Sequence, residues 1–334
     1  MPAQASKLHQ EKPFEDDIVA KLVSLGHLHT RDNSGYDKRA AIYTEDLIEF
    51  IKATQPKEWE QLKALHNGTT EQIVIKRVTE ALEKQGLIEV LQRGINIVGS
   101  GMRGSVNLKL IQFTPNHDLN PDIQHRLQAN RFRVARQLQY SLHNRNSIDL
   151  VLFINGLPWA TTELKTWFTQ TVEDAMHQYR VDRQVGKGLK EEPLLKPMRG
   201  ACVHLAVSTD KVRMTTELCG ENTSFLPLDQ GTLDGGAGNP INDGGYPCNH
   251  IWNDLMTKES ILELLGDFIT INEKMIADGN KKRRIKRLIF PRWHQRRAVK
   301  KILDHARENG AGQRYLVQHS AGSGKTNTIA WLAL

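Results

Sequence analysis

The sequence predicts an α/β fold, a mixed sheet flanked by helices, followed by the opening strand and turn of a second unit. Three observations carry this. Residues 14–86 hold three stretches of helical periodicity, and residues 148–165 hold two strand-like runs around an Asn-Gly pair. The last twenty residues run apolar stretch, glycine-bearing turn, helix. With 334 residues, 39% hydrophobic and 25% charged, the chain has room for a sizeable core.

The helices come first. "PFEDDIVAKLVSLG" sets Phe14, Ile18, Leu22 and Leu25 on one stripe and stops at Gly26. "TEDLIEFIKATQP" starts at Thr44 and ends before Pro56; "TTEQIVIKRVTEALEKQG" is capped by Thr69 or Thr70 and closed by Gly86. "LIEVLQRGINIVG" and "VNLKLIQFTP" are rich in β-formers and bounded by glycines and Pro115, so strands are expected there. "TQTVEDAMHQYRVDR" is helical, with Thr171 and Asp174 at capping-box spacing, and a polar loop then leads to the strand "ACVHLAVST". Residues 229–247 are the most glycine-dense and predict an excursion, followed by the helix "ILELLGDFITI". The basic run 281–287, "KKRRIKR", reads as a solvated linker or as a DNA contact. A boundary near 270–285 divides the chain into units 1–275 and 276–334.

Bulk properties exclude several classes. Cys202, Cys219 and Cys248 lie 17 and 29 residues apart, which fits neither a zinc site nor a disulfide framework and suits a reducing cytoplasm. The N-terminus lacks an apolar h-region and no run of 18 apolar residues exists, so a cytoplasmic protein outside the membrane is expected. The net charge of +7 is compatible with a polyanionic partner without requiring one.

Chemistry concentrates in "SIDLVLFINGLPWATTELK". Ile148, Leu150, Val151, Leu152, Phe153 and Ile154 are apolar on both faces, as in a central strand. Asp149 enters that run; Glu163 and Lys165 leave the next one. Burying such groups is costly unless they are paired or bind a metal. A strict two-residue loop at Asn155-Gly156 pairs Asp149 with Thr162 and puts Glu163 on the other face. A three-residue loop puts Asp149 opposite Glu163, and a bulge near Pro158 shifts the parity likewise. In the converged arrangement Asp149 and Glu163 supply hard oxygen ligands for Mg2+, and Lys165 orients a water or stabilises developing negative charge. The alternative is a hairpin whose ends are merely salt-bridged.

The C-terminal stretch "YLVQHSAGSGKT" reads as a buried strand, a phosphate-binding turn and a helix start. Backbone N–H groups from Ala321 to Lys325, including those of Gly322, Ser323 and Gly324, would cradle phosphates. Lys325 would reach the β/γ-phosphates and Thr326 would coordinate Mg2+. His319 stands where the full pattern has glycine. Upstream, "FPRWHQ" resembles the adenine-reading segment of superfamily 2 helicases, with Gln295 as the base contact and Arg292 and His294 as weaker candidates.

The hairpin resembles the D-x(n)-ExK core of the PD-(D/E)xK nucleases. Together "LVLFINGLP", "ELK", "VRMTTELCGENTSFLPL" and "FPRWHQRRAVKKIL" with "QHSAGSGKT" resemble the restriction (R) subunit of type I restriction–modification enzymes, in that family's order and through nearly the whole chain. The resemblance implies a restriction-endonuclease-like sheet with Asp149, Glu163 and Lys165 as the nuclease triad. Glu15 matches an acid that some of these nucleases place near the metal, or is an ordinary acid of a helix N-terminus. Tyr179 matches the tyrosine of a QxxxY element, or is a core aromatic. Ile148 replaces the family's Pro; Ala175 occupies the glutamine position, with Gln178 a candidate substitute. Arg180 and Arg183 read as phosphate contacts or as a solvated face. The resemblance further implies Mg2+ and ATP as cofactors, double-stranded DNA as substrate, and methyltransferase and specificity subunits as partners. ATP-driven translocation would precede cleavage to a 3′-hydroxyl and a 5′-phosphate. Eight residues follow Thr326, so a complete nuclease and a truncated RecA-like motor that does not turn over ATP alone are expected. Alternatives are another helicase–nuclease fusion, type III-like or repair, and a non-catalytic DNA-binding or docking module.

Overall fold

The computed structural model describes residues 11–333 except 67, 100–103, 116, 118, 167–169, 233, 235, 243, 279–280 and 321. Helix α1 (Glu11–Ser24) buries Phe14, Ile18 and Leu22, as its stripe predicts. The short strands β1 (Tyr36–Asp37) and β2 (Ile42–Tyr43) pair antiparallel. They lead into α2 (Thr44–Thr54), α3 (Pro56–His66), α4 (Thr70–Gln85) and α5 (Leu87–Arg93). The last of these corrects an expectation: "LIEVLQR" is helix, and only Ile95–Val98 (β3) is strand, paired with β4 (Ser105–Leu108). A short apolar run carries no decisive period. Here Leu87, Ile88, Val90 and Leu91 are buried together between Gly86 and Gly94.

After α6 (Pro121–Gln128) come the central strands β5 (Phe132–Gln139), β6 (Ser147–Ile154) and β7 (Leu157–Lys165). Helix α7 (Val172–Val181) then crosses to β8 (Val203–Ser208), followed by β9 (Val212–Thr215) and β10 (Leu226–Pro227). The sheet order is β10-β9-β8-β7-β6-β5, with β7–β8 parallel and the other pairings antiparallel. A parallel pair needs a long crossover, and α7 provides it. The predicted capping box forms at its start, Thr171 with Asp174. Every residue of β7 is buried, and so are all of β6 except Ser147. The α/β mixed sheet flanked by helices is therefore the observed fold.

Beyond the sheet lie α8 (Lys258–Glu263), the ribbon β11 (Thr270–Asp278) and β12 (Lys281–Ile289), and helices α9 (Trp293–Asn309) and α10 (Lys325–Ala333). The basic run is thus a strand, and position 275 falls within β11. The final helices pack on the preceding structure. Arg296 reaches Asp254 and Glu263, and Trp331 Nε1 donates to Phe268 O at 2.9 Å. The strand expected at "YLVQ" does not form: residues 313–320 are irregular and Leu316 is 92% exposed. A buried strand needs flanking ladders, and the described residues supply none there. The helix expected after the turn does begin, at Lys325. Among the described residues no helix is long and apolar enough to cross a membrane.

Candidate active site

The site is assembled by the register of one hairpin. Asn155 (φ 49°) and Gly156 (φ 79°) form a two-residue turn with both central residues left-handed, the form that matches strand twist. Ile154 pairs with Leu157 and Phe153 with Pro158; the register then shifts, so that Leu152 pairs with Ala160 and Leu150 with Thr162. Trp159 is the extra residue of this bulge. Of the possible loops, the structure has the two-residue turn with a bulge at Pro158, which lacks the N–H that regular pairing would use. The shift sets Asp149 opposite Glu163. The turn is also locked from outside: Tyr43 N donates to Gly156 O at 2.9 Å, and a Cβ on Gly156 would lie 2.2 Å from Tyr43 O.

Asp149, Glu163 and Lys165 are all buried. Asp149 Oδ2 accepts from Leu164 N at 2.7 Å and Oδ1 from Gln137 Nε2 at 3.0 Å. Glu163 Oε1 accepts from Arg183 Nε at 2.6 Å, whereas its Oε2 is buried without a hydrogen-bond partner. Burial pushes the Glu163 carboxyl well above its ordinary pKa; the charge of Asp149 adds to this and Arg183 opposes it. Glu15 belongs to the same electrostatic set. Burial raises its pKa, Arg136 pulls it down at 2.8 Å, and the Asp149 charge raises it again. Gln137 Nε2 lies 3.4 Å from both Glu15 oxygens, spanning the two acids. Arg136 and Gln137 also line a cleft of about 360 Å³, shared with Arg31 and Lys38. Lys165 follows Glu163 on the same face of β7. Its positive field is one of the influences lowering the Asp174 pKa, after the hydrogen bonds from Thr171.

Among the described residues no group of three or more His, Cys, Asp or Glu side chains is spaced to enclose an ion. Mg2+ does not need such a cage, since it is commonly held by one or two carboxylates together with waters and substrate phosphate. Asp149 and Glu163 fit that requirement: the charge of Asp149 raises the cost of ionising Glu163, and one buried Glu163 oxygen has no donor.

Tyr179 and Gln178 lie on α7. The Tyr179 hydroxyl is 2.8 Å from Thr161 Oγ1, which is 2.7 Å from His204 Nδ1. Thr161, Glu163 and Lys165 alternate along one face of β7, so Tyr179 packs beside the acids. It is fully buried and part of the core, while Gln178 Oε1 is buried without a partner. Burial lowers the His204 pKa to about 3, which keeps that ring neutral.

At the C-terminal turn, Lys325 Nζ donates to His319 O at 3.0 Å and Ser320 O at 3.1 Å. Gln295 Nε2 donates to Ser323 O at 3.1 Å and Gly324 O at 2.9 Å, and Gln295 Oε1 accepts from Arg292 N. Gly322 (φ 73°) and Gly324 (φ 79°) permit the tight turn, Ser323 is buried and Thr326 is exposed. Ala321, expected to contribute an N–H, lies outside the described residues. The structure thus brings Gln295 onto the turn and keeps Asp149, Glu163 and Lys165 together on the hairpin. Sequence reasoning missed Gln137, for which no local signal exists. It also missed the pairing of Arg183 with Glu163, whose only signal was a basic residue just after α7.

The family described as type I restriction enzyme R protein N terminus matches residues 15–223 of this chain. The chain belongs to that family. Its matched segment contains Glu15, the whole bulged hairpin, α7 and Arg183. The chain is also similar to the putative type I restriction enzyme MjaVIIIP endonuclease subunit of Methanocaldococcus jannaschii, at 24% identity over 343 residues. That match covers 95% of this chain and 28% of the relative, so the R-protein sequence here spans about 28% of that protein's length.

Proposed function

We propose that this R-protein N terminus carries a Mg2+-dependent DNA endonuclease centre built on Asp149, Glu163 and Lys165. The carrying observation is the shifted register, Leu150 against Thr162, whose next step brings Asp149 beside Glu163, with Glu163 Oε2 buried and without a donor. Asp149 is oriented by the Leu164 N–H and the Gln137 amide, and Glu163 by Arg183. A bound divalent ion would polarise the phosphodiester and acidify a bound water. Lys165, a cation in a water-poor site, stabilises the negative charge that develops on the phosphate oxygens. Glu15 adds a further acid, Tyr179 backs the β7 face through Thr161, and Gln178 beside it on α7 is the candidate for the family's glutamine.

The relative's description as an endonuclease subunit supports this reading. In the wider assembly the turn Gly322–Thr326 and Gln295 would hold ATP for translocation along double-stranded DNA, with methyltransferase and specificity subunits as partners. Loss of ATP-analogue binding in Lys325→Ala checks that assignment; wild-type affinity would remove it. The nuclease assignment is tested by Mg2+-dependent nicking of a supercoiled plasmid by Asp149→Ala and Lys165→Ala variants. Both should lose cutting, and the wild-type product should carry a 3′-hydroxyl and a 5′-phosphate. If both variants cut like wild type, the assignment fails. The Arg183–Glu163 pair also suits a second reading, a hairpin with salt-bridged ends in a non-catalytic module, and the same assay decides between them.

A further inference from the structure

The ribbon β11–β12 supplies none of the residues of the Asp149 centre, although Arg287, Leu288 and Ile289 at its base line a cavity with Gln295 and Gly324. Its nine register pairs run from Thr270↔Ile289 to Asp278↔Lys281, and among the described residues neither strand pairs with any other. At ~3.4 Å per residue this makes an arm roughly 30 Å long. Among the described residues its base is anchored: Leu288 is buried, and Thr216 Oγ1 donates to Leu288 O at 3.1 Å. Residues 270–289 hold seven Lys or Arg against two acids, a surplus of five within a chain whose net charge is +7. Lys282, Arg284 and Lys286 alternate along one face, and Lys274 and Arg287 lie on the other; all five are exposed. Glu273 meets Arg284 and Lys286, at 3.2 Å for the latter, and so offsets only one of their two charges. Two-stranded ribbons with no apolar face to bury are marginal alone. Adding a further strand along an edge is disfavoured by the same charges.

We propose that this ribbon is a docking arm for duplex DNA, gripping phosphates without reading sequence. The argument is charge complementarity combined with shape. A two-stranded ribbon fits the major groove, whose walls present phosphates on both sides. A cation surplus on both faces suits such a groove, whereas an acidic protein surface would call for it on one face. The inference rests on DNA being the substrate of the Asp149 centre, but it concerns binding and can be measured without cleavage.

The test is fluorescence anisotropy of a labelled, arbitrary-sequence duplex titrated with the full chain in EDTA at several salt concentrations. Each phosphate contact contributes ~0.9 to the slope of log K against log salt. The combined variant Lys282→Gln, Arg284→Gln, Lys286→Gln should flatten the slope by about 2.7 and weaken binding on the order of 100-fold at ~0.1 M salt. Because that variant also breaks the Glu273 ion pairs, a second, Lys274→Gln with Arg287→Gln, leaves them intact and should flatten the slope by about 1.8. An unchanged slope in this second variant overturns the proposal, whatever the triple variant does. Poly-L-glutamate, as a competing probe, should displace the duplex equally from wild type and variants. If the variants lose poly-glutamate binding as strongly as duplex binding, the arm is a protein-docking surface and the proposal falls. Asp149→Ala, assayed for plasmid cutting in Mg2+, judges the nuclease reading separately. A wild-type cutting rate in that variant would sink the nuclease reading while leaving the slope result to judge the arm.

Discussion

Replacing Arg183 with Met should cost about 3 kcal/mol of folding stability at about pH 8 and much less at about pH 5. The pair it removes is nearly dry: Arg183 Nε lies 2.6 Å from Glu163 Oε1, with side-chain exposures of 9% and 0%. Charge centres ~4 Å apart interact by about 4 kcal/mol at an effective dielectric of 20. Removing one partner of a buried pair typically costs about 3–5 kcal/mol. The lower end applies because Met keeps much of the arginine stem and because Glu163 can escape by taking a proton. The pH dependence follows from that escape. Burial and then Asp149 raise the Glu163 pKa, and Arg183 opposes them, so losing Arg183 raises it further. A carboxyl whose folded pKa is raised contributes stability below its unfolded pKa, about 4.3, and loses it as pH climbs through the folded value. The deficit of the variant relative to wild type therefore grows from mildly acidic to alkaline pH. Urea denaturation followed by circular dichroism at the two pH values, with unchanged m, reads this directly. Equal deficits at both values, or none at the higher one, would refute the claim that Arg183 opposes the rise of the Glu163 pKa. Mg2+ at ~100-fold above its dissociation constant should return about 2.7 kcal/mol to the variant if it binds only the folded site.

Gln137→Ala removes the donor that spans Asp149 and Glu15. On the proposed metal role of Asp149, plasmid nicking should fall roughly 10- to 100-fold while DNA binding in EDTA stays unchanged; full activity would show that the amide is dispensable. Gly156→Ala puts a Cβ 2.2 Å from Tyr43 O at a left-handed residue, so the urea midpoint should fall by the equivalent of more than ~2 kcal/mol. An unshifted midpoint would mean that the turn closes differently.

Much of the hairpin was legible in the sequence because its signals are local. Apolar residues on both faces announce a central strand, and Asn155-Gly156 announces a tight turn. What decides the chemistry was less legible. The parity that brings Asp149 to Glu163 depends on one extra residue, Trp159, and Pro158 marks only where a bulge is tolerated. Gln137 reaches the acids from a left-handed residue (φ 47°) within β5, a conformation that its neighbours in sequence do not signal. Arg183 lies 20 residues from Glu163, and its role exists only once α7 has crossed over the sheet. The basic run shows the same limit: without an apolar period it reads as a linker, and only its pairing with Thr270–Asp278 makes it a strand.

The cost of Glu163 is itself an argument about purpose. Replacing a buried ion pair with well-packed apolar residues is often neutral or stabilising by about 1–4 kcal/mol. Glu163 is worse placed than an ordinary buried pair, since Asp149 adds like charge and Oε2 has no donor. Arg183 brings one positive charge to one of its oxygens. On stability alone, a Leu or Met at this position would serve the β7 core better. A divalent cation between the two carboxylates would relieve both defects at once, cancelling the repulsion and giving the orphaned oxygen a partner. The burial of like charge in this hairpin is therefore of the kind that the metal-assisted centre proposed above would relieve, and loss of plasmid nicking in Asp149→Ala is the result that would bear this out.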